Sequence, residues 1–579
     1  MPHLRPTPDQ AATAAYIAAL PRWSRVLAER YRNKTDSTFI LHGAVRDLQP
    51  GDDDKGAATF VSLAEFLETQ IFGPHVFLLY DRSKGLRSTD RETQRELYAA
   101  ATQIYGEEGI PKDPQRVLPL VETFARKKLA EGAKVALVID FAESIAPAQD
   151  FAGMGAEDRY ALVTLVRWAQ DPQFRRGECA ICLVAENVAE LSPRLSRNPY
   201  VATIEVPLPD EADRLDYIQW KFKDKAPAAM SDLTYESLAK RTAGVSRAQL
   251  DRILGEALAG VRLTDEAVKQ RKKEIIQAEC HGLLEFIEPR FNLDYVAGHE
   301  KCKSMLRAAS SALRNGDTDV VPMGYLIAGP IGTGKTFLAT CFAGEIGIPV
   351  VKFLNFRSQW QGVTEGNLEK IFNLLRAMSP VAVMIDEADA FLGNRGQSGD
   401  SGTSARVFAS IAAFMGNTEF RGKIVWFLLT CRPDLLPVDL KRQGRAEEHL
   451  ALFYPETKAE RAELVKVMAK KAGVTLELAA DTEFLPAGVE RLSGADIEAM
   501  LVRAKFRALT NARRAVTKED LDATLADFIP PSYPAEVELQ TLAAIVECTS
   551  RELIPKSYRD VPRDELSRRL AVLKAGFST

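Results

Sequence analysis

An eight-residue stretch past the middle of the chain has the composition of a phosphate-binding loop. It fits G-x-x-x-x-G-K-[ST] at every fixed position and reads Gly329-Pro330-Ile331-Gly332-Thr333-Gly334-Lys335-Thr336. Glycines let backbone N–H groups close around phosphate oxygens. We therefore expect Lys335 to reach the terminal phosphates of a nucleotide and the Thr336 hydroxyl to ligate Mg²⁺.

The residues on both sides of this loop give it the context that a phosphate site needs. The apolar run Met323–Ala328 predicts a buried strand, and Phe337–Gly344 has helical composition. A helix that begins at the loop adds its dipole to the bound anion, with Phe337 in its first turn. Strand, glycine loop and helix together favour a nucleotide site over a chance glycine-rich turn.

Two adjacent carboxylates follow a second apolar run. Val381–Ile385 predicts a buried strand, and Asp386 and Glu387 come directly after it. One acid can hold Mg²⁺, directly or through water, and the next can accept a proton from an attacking water. Without the upstream loop, two solvated acids would be the better interpretation. With it, the pair predicts phosphoryl transfer, with Asp386 at the metal and Glu387 as the base.

Composition limits the classes of function that are open to this chain. Its 579 residues correspond to roughly three to four domain-sized units, and its net charge of -4 gives it no electrostatic affinity for nucleic acid or acidic membranes. We find no apolar run of membrane-spanning length and no signal pattern at the N-terminus, so we expect a cytoplasmic protein. The pair Cys179 and Cys182 lies in an apolar run and predicts core packing. Lys303 stands where a zinc motif beginning at His299 would need histidine, which excludes that class of protease.

The order of segments repeats along the chain. Five apolar runs alternate with helical stretches and are followed by a helical region, and the same order then recurs. The first five predicted strands are Thr38–Gly43, Val76–Asp81, Val135–Asp140, Ala180–Val184 and Ala202–Pro207. The second five are Met323–Ala328, Val350–Leu354, Val381–Asp386, Ile424–Thr430 and His449–Phe453. The pattern predicts an α/β chain of two tandem modules, each a five-stranded parallel sheet followed by a helical lid.

The predicted segments follow from these patterns. They are an N-terminal helical segment at 1–35, a first α/β module at 36–208, a helical lid and linker at 209–290, a second α/β domain at 291–455, a helical lid at 456–530 and a C-terminal helical extension at 531–579. A proline-rich break, Ile529–Pro534, separates the second lid from the extension.

The first copy lacks the residues that would do chemistry in the second. The stretch Val135–Glu143 matches Val381–Asp389, and it keeps Asp140 but has Phe141 in place of Glu387. Phenylalanine cannot accept a proton from water. The first copy therefore reads as a degenerate, non-catalytic module.

The phosphate loop is also missing from the first copy. Two of its loops are candidates for that position, one after Thr38–Gly43 and one after Val76–Asp81, and neither contains Gly-Lys-Thr. Further along, Tyr200 replaces Arg445 of the second copy. The sequence alone does not fix which loop is the equivalent one.

Residues from about 291 to 515 resemble the AAA subfamily of AAA+ ATPases. The segments that carry the resemblance are Tyr295-Val-Ala297-Gly298, Gly329–Thr336, Met384-Ile-Asp386-Glu387, Leu440-Lys-Arg442-Gln-Gly-Arg445 and Ser493-Gly494-Ala495-Asp496. The resemblance implies that Ala297 and Gly298 contact adenine, that the second and third segments are the two Walker motifs, and that Gly494 and Ala495 belong to a lid near the nucleotide. It also implies ATP and Mg²⁺ as cofactors and a P-loop-type sheet in each module.

The same resemblance assigns roles to residues after the fourth strand. Arg442 and Arg445 are implied to act as fingers into a neighbouring subunit's site, where arginine stabilises charge on the transferring phosphoryl group. The family has Thr-Asn-Arg-Pro-Asp where this chain has Thr430-Cys431-Arg-Pro-Asp. Cysteine is a weak hydrogen-bonding group, so positioning of the attacking water is expected to suffer at this sensor. Thr430 is the candidate to compensate in part.

Two polar loops are candidates for contact with a partner. Trp360-Gln361-Gly362 resembles the first pore loop, whose aromatic residue grips polypeptide in the channel of a ring. A buried core tryptophan is the alternative, but its glutamine neighbours favour exposure. The segment Asn394–Thr403 is either a second channel loop or a connector.

Together these features predict an ATP-hydrolysing ring, a hexamer by resemblance, that works on a protein partner by unfolding, threading or disassembly. A nucleotide-gated scaffold that threads nothing is an alternative. A nucleic-acid motor is a less favoured one, because of the charge and the aromatic loop. We expect no membrane partner.

Overall fold

The structure is a computed structural model, and it describes residues 16–52, 56–106, 109–176, 178–223, 231–280, 283–354, 365–392, 403–477, 492–527 and 533–577. The chain divides into two compact units, Met1–Ile276 with Val363–Ala377 and Gln277–Gly362 with Met378–Thr579. Within the described ranges, no helix is long and apolar enough to span a membrane.

Each unit is built on one main sheet. The strands of the first unit are β1 (Thr38–Gly43), β2 (Gln49–Asp52), β3 (Ala58–Val61), β4 (Val76–Asp81), β5 (Gly85–Arg87), β6 (Val135–Ile139), β7 (Cys179–Val184) and β8 (Val201–Val206). Those of the second unit are β9 (Leu284–Ile287), β10 (Gly324–Ala328), β11 (Val350–Phe353), β12 (Val381–Ile385), β13 (Ile424–Thr430) and β14 (Glu448–Ala451).

Helices connect and cover these strands. In the first half of the chain they are α1 (Arg22–Arg32), α2 (Leu63–Phe66), α3 (Arg91–Tyr105), α4 (Pro114–Ala130), α5 (Ala156–Gln170), α6 (Pro172–Arg176), α7 (Pro193–Ser196), α8 (Glu211–Lys221), α9 (Tyr235–Arg241), α10 (Arg247–Leu258) and α11 (Asp265–Glu279). In the second half they are α12 (Glu300–Asn315), α13 (Lys335–Ile346), α14 (Glu365–Ala377), α15 (Ala388–Leu392), α16 (Thr403–Met415), α17 (Lys458–Lys471), α18 (Gly494–Thr510), α19 (Lys518–Asp527), α20 (Pro534–Glu547) and α21 (Arg563–Phe577).

The two sheets have the same topology. Their strand orders are β5-β4-β6-β7-β1-β8 and β14-β10-β13-β12-β11-β9. In each, five parallel strands stand in the chain order 5-1-4-3-2, counted within the module, and an antiparallel strand closes one edge. The five-stranded parallel sheets predicted from the sequence are confirmed, and each gains a sixth strand. The repeat seen in the sequence is therefore a repeat of fold.

Apolar residues cover both faces of the first sheet, which explains why its strands read as continuous apolar runs. Along β1, Phe39 and Leu41 belong to one core and Ile40 to the other. Cys179 and Cys182 are fully buried in β7, and burial raises the pKa of the Cys179 thiol to about 12. Both cysteines act as core residues, as predicted.

The position of β1 resolves which loop of the first unit corresponds to the phosphate loop. β1 lies between β7 and β8, as β10 lies between β13 and β14. The loop after β1 is therefore the equivalent one. It leads into the antiparallel hairpin of β2 and β3, whereas the loop after β10 leads directly into helix α13. The first unit has no helix dipole at this position to receive an anion.

Both helical lids begin their corresponding helices in the same way. A capping box, in which an N-cap side chain and the third helical residue satisfy each other's backbone N–H, starts α8 and α10 in the first lid and α17 and α18 in the second. The N-cap residues are Asp210, Ser246, Thr457 and Ser493. These caps fix the residue at which each of the four lid helices begins.

Candidate nucleotide site

The glycine loop leaves β10 through a gap that admits no side chain. A Cβ on Gly329 would lie 2.1 Å from the carbonyl oxygen of Leu452, which follows β14. A Cβ on Gly332, whose φ is +79°, would lie 2.4 Å from the Cβ of Ser493, the N-cap of α18. The loop is thus held between the edge of the sheet and the lid helix that begins with Gly494 and Ala495.

Lys335 and Thr336 lie in the first turn of α13. The Lys335 ammonium donates to the carbonyl oxygens of Gly329 and Pro330, both at 2.9 Å, so it arches back over the loop. The Thr336 hydroxyl donates to Asp386 Oδ2 at 3.3 Å. The structure therefore brings together the predicted phosphate-binding lysine and the two predicted metal ligands. A hydroxyl and a carboxylate oxygen form a donor set that fits Mg²⁺.

Sequence reasoning missed a second lysine at this carboxylate. Lys352, on β11, donates to Asp386 Oδ2 at 2.9 Å. Its ammonium and the Thr336 hydroxyl thus share one oxygen. A lysine inside an apolar strand, Val350-Val-Lys-Phe353, was the available signal, because a charged residue on a buried strand needs a partner.

The backbone of Glu387 is in the left-handed region, with φ of +48°, and its side chain is exposed at the carboxyl edge of the sheet. Phe141, the matching residue of the first unit, has φ of +52°. A non-glycine residue in this region is strained and is common at functional sites. The two units share this backbone, but only the second carries a carboxylate on it.

The two predicted sensor residues differ in surroundings. The Thr430 hydroxyl is buried and donates to Asp389 Oδ1 at 2.6 Å. Asp389 lies two residues after Glu387 in the chain. Cys431 follows at the end of β13 with intermediate exposure. The Thr430 hydroxyl also accepts from the Arg432 N–H at 2.8 Å, so it connects the start of the helix after Glu387 with the segment after β13.

The predicted adenine segment packs beside the glycine-loop helix. Ala297 is buried, and Gly298 leads into α12. Phe291, just upstream, packs in a tilted arrangement against Tyr295 and Phe337, with ring centroids 4.6 and 6.0 Å apart. Phe291 thus connects Phe337 with the segment predicted to contact the base.

The second lid reaches the same aromatic cluster. From α17, the Lys470 ammonium lies 4.4 Å from the Tyr295 ring centroid and the Lys471 ammonium lies 4.9 Å from that of Phe337. Such cation–π contacts tie the lid to the segment before α12. Burial lowers the pKa of neighbouring His299 to about 4, so it is neutral at pH 7.

The two predicted finger arginines lie on one turn between β13 and β14. Arg442 is exposed, and Arg445 donates to the carbonyl of Asp439 at 2.6 Å. Glu447 shapes this turn, because it accepts from the Gly444 N–H at 3.0 Å and from both terminal nitrogens of Arg421. Arg442 therefore points away from a braced segment.

Trp360, Gln361 and Gly362, the predicted pore loop, lie outside the described residues, as does most of the segment Asn394–Thr403. Their interpretation stays a prediction.

In the first unit, an arginine stands where the second has its phosphate loop. Arg46, just after β1, donates to Asp140 Oδ1 at 2.7 Å and lies 3.6 Å from Glu186 Oε1. Its guanidinium also stacks 3.8 Å from the centroid of the Phe141 ring. The kept acidic residue is thus paired to a cation of its own chain.

A second arginine closes this site from the lid. Arg247, in the first turn of α10, donates to the carbonyl of Leu48 at 3.1 Å and pairs with Asp47 at 3.6 Å. Asp47 also accepts from the N–H of Ala248 at 2.9 Å. The side chains of Arg247 and Asp47 are 5% and 2% exposed, and breaking such a buried pair is strongly destabilising. The segment after β1 and the lid of the first unit are thus joined by one buried ion pair and two hydrogen bonds.

Comparison with known families matches three consecutive parts of the chain. Residues 7–207 match the family described as AAA+ chaperone, N-terminal Rossmann-like domain. Residues 212–281 match the AAA+ chaperone second helical domain. Residues 325–454, which hold the glycine loop, both acids and both predicted finger arginines, match the ATPase family associated with various cellular activities.

Individual relatives are similar at low identity. An uncharacterised AAA domain-containing protein, ycf46, of Guillardia theta is 27% identical over 61% of this chain and 70% of its own length. A cell division cycle protein 48 homologue of Archaeoglobus fulgidus is 27% identical over 69% of this chain. The ATP-dependent zinc metalloprotease FtsH 3 of Sphaerobacter thermophilus is 33% identical over 35% of it.

The matched part covers 58% of the Archaeoglobus relative and 41% of the Sphaerobacter one, so less than two thirds of either. The three family matches, together with the repeated sheet topology, place both halves of the chain in one superfamily. The chain belongs to the AAA+ ATPases, with an AAA+ chaperone-type N-terminal region followed by an AAA ATPase domain.

Proposed function

We propose that the second unit binds Mg²⁺-ATP and hydrolyses it to drive the remodelling of a protein partner by a ring of identical chains. The observation that carries this proposal is the convergence of Lys335, Thr336 and Asp386 at one edge of the sheet, beside the exposed Glu387. These residues come from one glycine loop and one strand end, in the arrangement that phosphoryl transfer requires.

Each group has a separate task in this proposal. The loop N–H groups and Lys335 hold the phosphates, and Glu387 takes the proton from the attacking water. Mg²⁺, when bound, neutralises charge on the phosphates, and Thr336 and Asp386 would hold it. Ala297, Gly298, Phe337, Gly494 and Ala495 would enclose the base and ribose between the strand–helix core and the lid.

Lys352 modifies the metal side of this site. Its positive charge, 2.9 Å from Asp386 Oδ2, offsets the negative charge that attracts the metal. Like charges repel, so Lys352 should weaken Mg²⁺ binding while it adds a second cation near the phosphates.

The first unit contributes no nucleotide site in this proposal. Arg46 pairs with the acid that would face the metal, and Arg247 ties the lid to the segment after the loop. The first module and its lid, residues 36–208 and 209–290, then act as an adaptor. The second domain and its lid, residues 291–455 and 456–530, bind and hydrolyse the nucleotide. This assembly would work in the cytoplasm.

The placement of the predicted finger arginines supports a ring. Arg442 is exposed on a braced turn, and a finger completes a site only when a neighbouring chain presents one. Head-to-tail contacts of this kind close into rings. We propose a hexamer that pulls polypeptide with Trp360.

A first prediction separates binding from turnover at the single site. Wild type should bind one ATP per chain, and Lys335→Ala should bind none, because the first unit has no cradle. Glu387→Gln should bind ATP as tightly as wild type and lose turnover, because the base alone is removed. Equilibrium dialysis and phosphate release measure the two effects. Lys84→Ala, on the other candidate loop, is the control and should change neither. A second ATP per wild-type chain contradicts the prediction.

A second prediction concerns Lys352. Lys352→Met keeps the length of the side chain and removes its charge, so Mg²⁺ should bind more tightly. Two unit charges 4 Å apart interact by about 4 kcal/mol at an effective dielectric constant of about 20. A tenfold change in a binding constant corresponds to about 1.4 kcal/mol, which is about a third of that interaction energy. The Mg²⁺ concentration for half-maximal binding of a fluorescent ATP analogue should therefore fall about tenfold. Lys301→Met, which removes a lysine paired with Glu552, is the control. A rise in the required Mg²⁺ refutes the inference.

A third prediction tests fingers in trans. Arg442→Ala and Arg445→Ala should each bind ATP and lose turnover, by up to ~10³-fold on the scale of known arginine fingers. Mixing the Arg442→Ala chain with Lys335→Ala should restore turnover, because each partner supplies what the other lacks. Mixing it with a chain carrying both changes should restore nothing. Full turnover by a protein that light scattering shows to be monomeric would exclude the ring.

A fourth prediction tests threading. Trp360→Ala should leave basal ATP hydrolysis and assembly nearly intact and abolish ATP-dependent unfolding of a tagged fluorescent protein. Trp360→Phe keeps an aromatic ring and should retain unfolding. A folded Trp360→Ala chain that still unfolds the substrate favours the nucleotide-gated scaffold, and loss of folding shows that Trp360 is a core residue.

A further inference from the structure

The C-terminal extension reaches the phosphate loop. Gln540, on α20, is buried, and its side-chain carbonyl accepts from the backbone N–H of Ile331 at 2.9 Å. Its amide nitrogen faces Glu536 Oε1 at 3.4 Å, which fixes the orientation of the amide. Tyr454 donates to the carbonyl of Ile331 at 2.6 Å. Both polar groups of this loop residue are therefore held from outside the loop.

The other end of α20 holds the finger segment. Glu547, the last residue of the helix, pairs with the ammonium of Lys441 at 2.6 Å. Lys441 is only 10% exposed and directly precedes Arg442. The main-chain carbonyl of Glu547 lies 2.8 Å from Nδ1 of His449, on β14. The finger turn is thus fastened on both sides to the end of α20.

A third contact comes from the last helix. Lys574, on α21, pairs with Asp434 at 2.8 Å. Asp434 also holds Arg432 through two bonds of 3.0 Å, just after the sensor residues. Together these cations hold the pKa of Asp434 below its usual value despite its burial. The extension therefore touches the loop, finger and sensor segments of the same unit.

The extension packs into two apolar cores along the length that separates these contacts. α20 and α21 share their own apolar core, with Leu539, Leu542, Ala543, Ile545, Leu566 and Leu570. Ala544 and Cys548 join the core of the sheet. Gln540 and Glu547 are seven residues apart, which is roughly 10 Å along a helix at about 1.5 Å per residue. A shift of one end therefore moves the other.

We propose that α20 is a positioning element that links the phosphate loop of a subunit to the arginine finger that the same subunit presents. Gln540 sets the loop through Ile331, and Glu547 sets Arg442 through Lys441. This inference rests on the proposed function, because it needs an ATP site and a finger. It adds a route by which the nucleotide state of one subunit adjusts catalysis in the next.

The test uses the full-length chain and two readouts, the affinity for a fluorescent ATP analogue and kcat. Gln540→Met keeps the bulk and removes the acceptor, so affinity should fall about fivefold, the scale of one lost hydrogen bond, with a smaller change in kcat. Glu547→Gln should leave affinity unchanged and lower kcat. The matched controls are Thr541→Val and Glu538→Gln, which change the same helix away from both contacts.

A double variant decides whether the two ends are linked. If α20 couples them, the loss of kcat/KM in Gln540→Met with Glu547→Gln should be smaller than the product of the single losses. Purely multiplicative losses overturn the link, and unchanged affinity and kcat in both single variants overturn the positioning roles. Parallel loss of affinity, kcat and thermal stability in both would show a merely structural helix and also overturn them. Wild type without ATP turnover refutes the proposed function instead, so the two failures are distinct.

Discussion

Both sheets depend on a glycine at the point where the first parallel strand, which lies next to the edge strand, leaves for its loop. A Cβ at Gly329 would lie 2.1 Å from the carbonyl of Leu452, and one at Gly43 would lie 2.6 Å from that of Val206. These carbonyls lie at the end of the neighbouring edge strand, so a side chain would push the two strands apart. The tight exit keeps the chain above the carboxyl edge of the sheet. This glycine therefore sets the position of the loop residues that follow it in each unit.

After this glycine, the charged residues of the two units are paired in different ways. In the first unit the loop gives way to a hairpin, and Arg46 and Arg247 neutralise Asp140 and Asp47 from within the chain. In the second unit, a helix begins at the loop, and its first N–H groups and the positive end of its dipole face the carboxyl edge of the sheet. The same topology therefore supports a closed set of internal ion pairs in one copy and an open anion site in the other.

The features that the sequence predicts correctly are those whose residues are neighbours in the chain. Most residues of the ten parallel strands are apolar and buried, so these strands are visible as short apolar runs, and the glycine loop and Asp386–Glu387 are single motifs. The edge strands β5 and β9 escape because they have only three and four residues, which is too short for a clear periodic pattern. Lys352 and Gln540 escape for another reason, since their partners lie 34 and 209 residues away. The apolar strand around Lys352 indicates that the lysine needs a partner, but only the fold shows that this partner is Asp386.

The contrast between Lys335 and Arg46 explains why one site can exchange partners and the other cannot. Lys335 donates to two neutral carbonyls, whereas phosphate oxygens carry a negative charge that would attract the ammonium more strongly. Moving the ammonium from carbonyls to a nucleotide is therefore favourable. Arg46 already has a charge-assisted bond to Asp140 at 2.7 Å and a stacked ring, so a phosphate offers it nothing stronger. Reactivity in this chain is thus set less by where the cations stand than by how weakly their native partners hold them.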